Sequence, residues 1–130
     1  MTEGKGLSYN REKEERSILP DIAYSSRGTI EVIVLVRPDG TPIDSYSFKS
    51  VDADYLSAAT AALVGTISAV TQLIGANEFK RLDVLLEDNR HIIIMPYGDN
   101  FLACITKPKP NLGFIYIILD TFLRFGRKRR

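Results

Sequence analysis

The sequence predicts an α+β domain: one five-stranded, mostly antiparallel sheet, a long central helix on one face and the terminal helices on the other. Three observations predict it. From Asp52 to Gly75 the chain reads DADYLSAATAALVGTISAVTQLIG, with no charged residue between Asp54 and Glu78. Two runs, Thr29–Arg37 and His91–Met95, are apolar and rich in β-branched residues, with little polar alternation, as in strands covered on both faces. Turn chemistry separates the strands: Pro38-Asp39-Gly40, Glu87-Asp88-Asn89-Arg90 and Pro96-Tyr97-Gly98-Asp99-Asn100.

Taken in order, residues 1–16 are polar and end in the charged run Arg11–Arg16, a composition expected of a flexible segment. Pro20 and Asp21 suit a helix first turn, so a short helix over Pro20–Ser25 lays Ile18, Leu19 and Ile22 on the core. Thr29–Arg37 is the first strand. Pro42–Phe48 follows the Pro-Asp-Gly turn as an edge strand, with Ile43, Ser45 and Ser47 alternating against Asp44, Tyr46 and Phe48.

The central helix is next. Asp52 or Asp54 caps its start, and Gly75 with Asn77 tolerates the positive φ of a stop. On a helical wheel Leu56, Ala59, Leu63, Ile67, Val70 and Ile74 form one stripe, expected to pack on the sheet. The opposite face carries Ala58, Ala61, Ala62, Gly65, Ser68, Ala69 and Gln72. A helix on the surface of a monomer should show Lys, Glu and Arg there. Small uncharged residues admit another backbone instead, so this face is expected to meet a partner. The run is also long enough to cross a bilayer. Its Ser57, Thr60, Thr66, Ser68, Thr71 and Gln72, its many alanines and the lack of flanking Trp or basic anchors argue against that.

Phe79–Glu87 alternates as a third strand, His91–Met95 reads as a central strand, and Phe101–Thr106 returns beside it. Pro108 and Pro110 stop that ladder. Asn111 caps a last helix over Leu112–Phe125. Its wheel puts Phe114, Ile118, Phe122 and Phe125 on one face with Ile115 and Ile117 alongside, and Tyr116, Asp120 and Arg124 on the other. The domain thus spans residues 17–126, with a basic tail over 127–130.

Composition narrows the function. The 130 residues carry a formal net charge of +1, which offers no field for nucleic acid. The single cysteine, Cys104, cannot form an internal disulfide. With no signal-type apolar run at the N-terminus, the expected location is the cytoplasm. Catalytic signals are missing. His91 is the sole histidine and opens a strand, and Cys104 sits in an apolar strand as a buried thiol. No Cys/His spacing suits a metal, and no glycine-rich loop suits a phosphate. A sensor domain would need an apolar pocket with convergent polar groups, and no such set stands out. The sequence therefore predicts no enzyme, no cofactor and no metal.

Four stretches together resemble a known family. Val34-Leu35-Val36-Arg37-Pro38-Asp39-Gly40-Thr41-Pro42-Ile43-Asp44-Ser45 resembles its first hairpin, and Ala58–Ala62 its Ala-rich central helix. Pro96-Tyr97-Gly98-Asp99-Asn100-Phe101-Leu102 resembles its Gly-Asp turn, and Asn111-Leu112-Gly113 its closing motif. By these the chain is identified as a member of the roadblock/dynein light chain family, over about residues 18–123. The resemblance implies a roadblock/profilin-like fold with sheet order 2-1-5-4-3. It also implies homodimers that pair through their third strands and pack central helices side by side. The implied interface is Ala58, Ala61, Ala62, Gly65, Ala69 and Gln72 on the helix, with Leu82, Val84 and Leu86 on the strand. Such proteins are implied to be platforms that bind or regulate Ras-like small GTPases, or adaptors of motor-like or membrane-associated complexes. Nucleotide chemistry would then belong to the partner, with an arginine such as Arg81 or Arg90 at most supplied in trans. Pro20 departs from the family's longer first helix. The tail Arg127, Lys128, Arg129, Arg130 is expected to be a solvated helix end, with weak contact to an acidic partner or an anionic membrane surface as the alternative.

Overall fold

The computed structural model describes residues 18–128, without the side chains of residues 125–128. The expected N-terminal segment 1–16 and Arg129 and Arg130 of the basic tail lie outside the described residues. The elements are α1 (Leu19–Ser25), β1 (Ile30–Val36), β2 (Pro42–Ser47), α2 (Ala53–Leu73), β3 (Leu82–Leu85), β4 (His91–Tyr97), β5 (Asn100–Thr106) and α3 (Leu112–Lys128). The strands form one sheet in the order β2-β1-β5-β4-β3, every neighbouring pair antiparallel.

Local chemistry explains the joints. Pro20 stands in the first turn of α1, where its missing N–H costs nothing. At the other end the Ser26 hydroxyl donates to the Ala23 carbonyl (2.7 Å) and accepts from the Ile30 N–H (3.0 Å), which hands the chain from helix to strand. Gly40 (φ +93°) and Gly98 (φ +63°) supply the left-handed turn positions that the Asp-Gly and Gly-Asp motifs anticipate. Asp52 caps α2, its carboxylate accepting the Tyr55 N–H at 3.1 Å. We predict that Asp52→Ala lowers stability by about 1 kcal/mol in a urea melt, with the fold unchanged.

β1 is buried along its whole length, as its continuous hydrophobicity requires. It includes Glu31, whose carboxylate pairs with Lys49 Nζ at 3.2 Å. The sheet has two unequal cores. On one face α1 and α3 cover Ile33, Leu35, Ile93, Leu102 and Cys104 with Leu19, Ile22, Ile115, Leu119 and Leu123. On the other face α2 lies alone over Val34, Val36, Ile94 and Ala103. α2 is long and apolar enough to cross a membrane by length and composition. Here it lies along the sheet with Ser57, Thr60 and Val64 buried.

Several elements differ from expectation. The third strand is shorter than Phe79–Glu87, since pairing with β4 runs only from Leu82 to Leu85. Phe79 leaves the strand line and stacks on Phe101, with ring centroids 6.1 Å apart. Leu86 belongs to the β3–β4 turn, where its N–H donates to the Arg90 carbonyl (2.8 Å) and Asn89 takes φ +71°. β4 continues through Pro96, beyond the last residue that β3 reaches. α3 continues past Phe125 to Lys128, so Arg127 and Lys128 extend the helix.

Both long helices are turned from their expected orientation. On α2, Ala59, Leu63, Val70 and Ile74 are exposed, not core; Ser57, Thr60 and Val64 face the sheet, Leu56 packs against the same core as expected, and Ile67 is at the margin. On α3, Ile115, Ile118, Leu119 and Leu123 are buried while Phe114 and Ile117 are exposed. Tyr116, expected outside, is half-buried at the β3 edge.

Candidate protein-interaction surface

The outer face of α2 is an uncharged surface, with no charged residue between Asp54 and Glu78. Tyr55 (76 %), Leu73 (85 %) and Ile74 (71 %) are the most exposed of its large residues, and Leu63 and Val70 are also open. Tyr55, Ala62 and Ala69 recur every seven residues, and Ala59, Thr66 and Leu73 alternate with them at the same period. All six are exposed, and together they form a seam pointing away from the sheet. A seam of small residues closed by one large residue at each end suits close packing of a second helix.

The expected interface residues do not all lie on this seam. Ala62, Gly65, Ala69 and Gln72 are exposed on or beside it. A side chain at Gly65 would meet nothing within 4 Å. Ala58 and Ala61 lie toward the chain's own β1–β2 turn: a Cβ built on Gly40 would stand 3.5 Å from the Ala61 Cβ and 3.6 Å from the Ala58 Cα. The backbone admitted by these two alanines is thus that of the same molecule. Leu82 and Val84 pair with Ile94 and Ile92 and are half-buried at the open β3 edge. Leu86 is half-buried in the adjoining turn. Leu63, Val70 and Ile74 join the surface although the sequence pattern assigned them to the core. Tyr55 and Leu73 were missed, and their seven-residue phase with the alanines was the signal that could have found them.

Side chains behind β3 fix that edge. The Tyr116 hydroxyl donates to Asp83 Oδ2, and His91 Nδ1 lies 2.6 Å from Asp83 Oδ1. The Arg81 guanidinium sits over the Tyr116 ring, 3.7 Å from its centroid. Arg90 is held by Asp88 through its Nε at 2.7 Å. Both arginines considered for action in trans are therefore engaged within the chain. Burial, then the hydrogen bond to Asp83 and its charge, raise the Tyr116 hydroxyl above the usual tyrosine value. A raised folded-state pKa stabilises the fold fully below the unfolded value near pH 10, and that contribution is lost as pH rises through the folded value. Tyr116→Phe should therefore be less stable than the parent at pH 7, by about 1 kcal/mol. The gap between the two should close as melts are repeated above pH 10.

Other chemistry is thin. Burial pushes the Cys104 thiol up to about 12, which leaves it protonated and inert. Among the described residues no group of three His, Cys, Asp or Glu side chains is placed to hold a metal. A groove of about 630 Å³ runs between α3 and the start of β3, over Met95, Pro96 and Leu123. Its rim residues Glu78, Lys80, Asp120 and Arg124 are exposed.

With this geometry in view, the Roadblock/LC7 domain profile matches residues 24–107, well over half of the chain. The chain belongs to the Roadblock/LC7 family. Solved structures share the fold at low identity. MglB of Myxococcus xanthus superposes with a TM-score of 0.77 at 19 % identity, covering 85 % of this chain and 89 % of its own. The gliding protein MglB of Thermus thermophilus gives 0.74 at 15 %, covering 85 % and 84 %. A Roadblock/LC7 domain from Streptomyces avermitilis gives 0.70 at 14 %, covering 78 % and 85 %. A search of curated protein sequences finds no match. The sheet order implied by the resemblance, 2-1-5-4-3, is the order observed in this roadblock domain.

Proposed function

We propose that this roadblock protein is a non-enzymatic, cytoplasmic homodimeric scaffold that binds and regulates a Ras-like small GTPase. The observation that carries the reading is the outer face of α2. It holds no charge between Asp54 and Glu78, yet its large residues Tyr55, Leu63, Val70 and Leu73 stand in solvent in the single chain. A second copy covers this face in a two-fold arrangement: the helices pack antiparallel, Tyr55 near the partner's Leu73, with Ala62 and Thr66 close to the axis. The short β3 edge is open, so β3 of each copy extends the other's sheet. Membership in the Roadblock/LC7 family and the fold shared with MglB proteins support a GTPase as the client of such a dimer.

The test is pull-down of the source organism's Ras-like GTPases, loaded with GDP or with a non-hydrolysable GTP analogue. Binding in one nucleotide state above the other is the expected result. A dimer that retains none of them in either state would instead be a structural adaptor, the reading that gives the uncharged face a role in assembly alone.

A further inference from the structure

A second surface lies at the opposite edge of the sheet and is independent of the α2 face. Tyr24 of α1, Tyr46 of β2 and Phe48 just beyond it form a closed set of edge-to-face rings. Their centroids are 6.0 Å apart for Tyr24–Tyr46, 5.4 Å for Tyr46–Phe48 and 6.4 Å for Tyr24–Phe48. Only Tyr46 packs against the core. Tyr24 is 65 % and Phe48 51 % exposed. The Tyr46 hydroxyl donates to the Tyr24 oxygen at 3.1 Å, which leaves the Tyr24 O–H free to donate outward. The rings therefore form a rigid, half-solvated aromatic platform, the side-chain type most enriched at the centres of protein interfaces.

Charges of both signs surround the platform. Asp21 precedes Tyr24 by three residues on α1 and so stands one helical turn away. Asp44 precedes Tyr46 by two on β2, on the same strand face. Glu31 lies beneath Phe48, whose N–H its carbonyl accepts, and pairs with Lys49. Arg27, in the turn after α1, and Lys107, whose Nζ lies 3.9 Å from where a Cβ on Gly28 would stand, are the other cations. Among the described residues Asp21 and Asp44 form no ion pair. β2 is an edge strand, and among the described residues no further strand pairs with its outer side, where Asp44 Oδ1 accepts the Ser45 N–H at 2.8 Å.

We infer that this platform docks an extended, arginine-bearing peptide segment of a partner protein. The segment lies along β2, with a guanidinium against the exposed rings and its charge facing Asp21 and Asp44. The Tyr24 hydroxyl donates to a carbonyl of the same segment. Aromatic stacking beside Asp21 and Asp44 favours arginine over lysine, whose more strongly hydrated ammonium gives up more on leaving water.

The test titrates the full chain with the synthetic peptide acetyl-Gly-Arg-Gly-Arg-Gly-amide and with its glutamine counterpart, following amide shifts by NMR. Saturable shifts confined to residues 21–27 and 43–49 are expected with the arginine peptide, and binding about tenfold weaker with the glutamine peptide. Tyr24→Ser should weaken binding about fivefold with only a small loss of thermal stability, since the ring is mostly exposed. Phe48→Leu, which keeps the local packing, should also weaken it. Asp21→Asn should reduce the dependence of affinity on salt. Equal affinity for the two peptides, equal affinity in parent and Tyr24→Ser, or no saturable shift at these residues would each overturn the inference.

Discussion

The Ala62→Arg variant is expected to stay folded and to sediment as a single 14.6 kDa chain at concentrations where the parent forms the proposed dimer. Ala62 is exposed on the α2 seam, so an arginine there meets only water in the isolated chain. Alanine and arginine are both strong helix formers, so α2 itself loses little. In a two-fold pair of antiparallel helices the two arginines would face one another close to the axis. They would separate backbones that the small residues bring together, and they would place like charges in a desolvated contact. The penalty is several kcal/mol, about a thousandfold or more in the dimer dissociation constant. Sedimentation equilibrium read beside a far-ultraviolet circular dichroism spectrum separates dissociation from unfolding.

The second large effect is on the fold itself. Leu119→Ala should lower stability by about 3 kcal/mol and the melting temperature by roughly 10 °C. Leu119 is fully buried on α3 among the side chains of the larger core, where α3 and α1 close over Ile33, Ile93 and Leu102. Truncation removes the transfer energy of the side chain and leaves a cavity between a long helix and a rigid sheet, which collapse poorly onto each other. Leu63→Ala on α2 should be far milder in the isolated chain, because Leu63 is already partly in solvent. The contrast between the two leucines tests the helix orientations directly.

Those orientations are where sequence and structure part. Strands, turns and caps were legible because each rests on local chemistry: positive φ at Gly40 and Gly98, the Asp52 and Asn111 caps, the uninterrupted β-branched run of β1. Which side of α2 meets the sheet was not local. Val34, Val36 and Ile94 supply much of that core, and the helix adds Val64 and Leu56 beside the small buried Ser57 and Thr60. Thr60 can be buried because its hydroxyl donates to the Leu56 carbonyl at 2.8 Å within the helix. Ser57 and Thr60 look like surface in a hydrophobic pattern, and Leu63 and Val70 look like core. α3 misleads in the same way at Phe114 and Ile117. A wheel finds the apolar stripe but cannot say whether sheet or partner covers it.

The candidate surface was legible in outline for the same reason. The missing charge between Asp54 and Glu78 pointed to a covered outer face, and the exposed Tyr55 and Leu73 mark its ends. The part played by Ala58 and Ala61 needed coordinates, because the turn that lies against them is distant in sequence, at Gly40. The aromatic platform needed them too, since Tyr24 and Tyr46 come from different elements joined only by the fold.

The mass of the unmodified protein in solution tests the central claim most directly. Multi-angle light scattering at micromolar concentration should return twice the 14.6 kDa chain mass if, as proposed, a second copy covers the uncharged face of α2 and the β3 edge. A strictly monomeric protein under those conditions, with Tyr55, Leu63 and Leu73 in water, would contradict it.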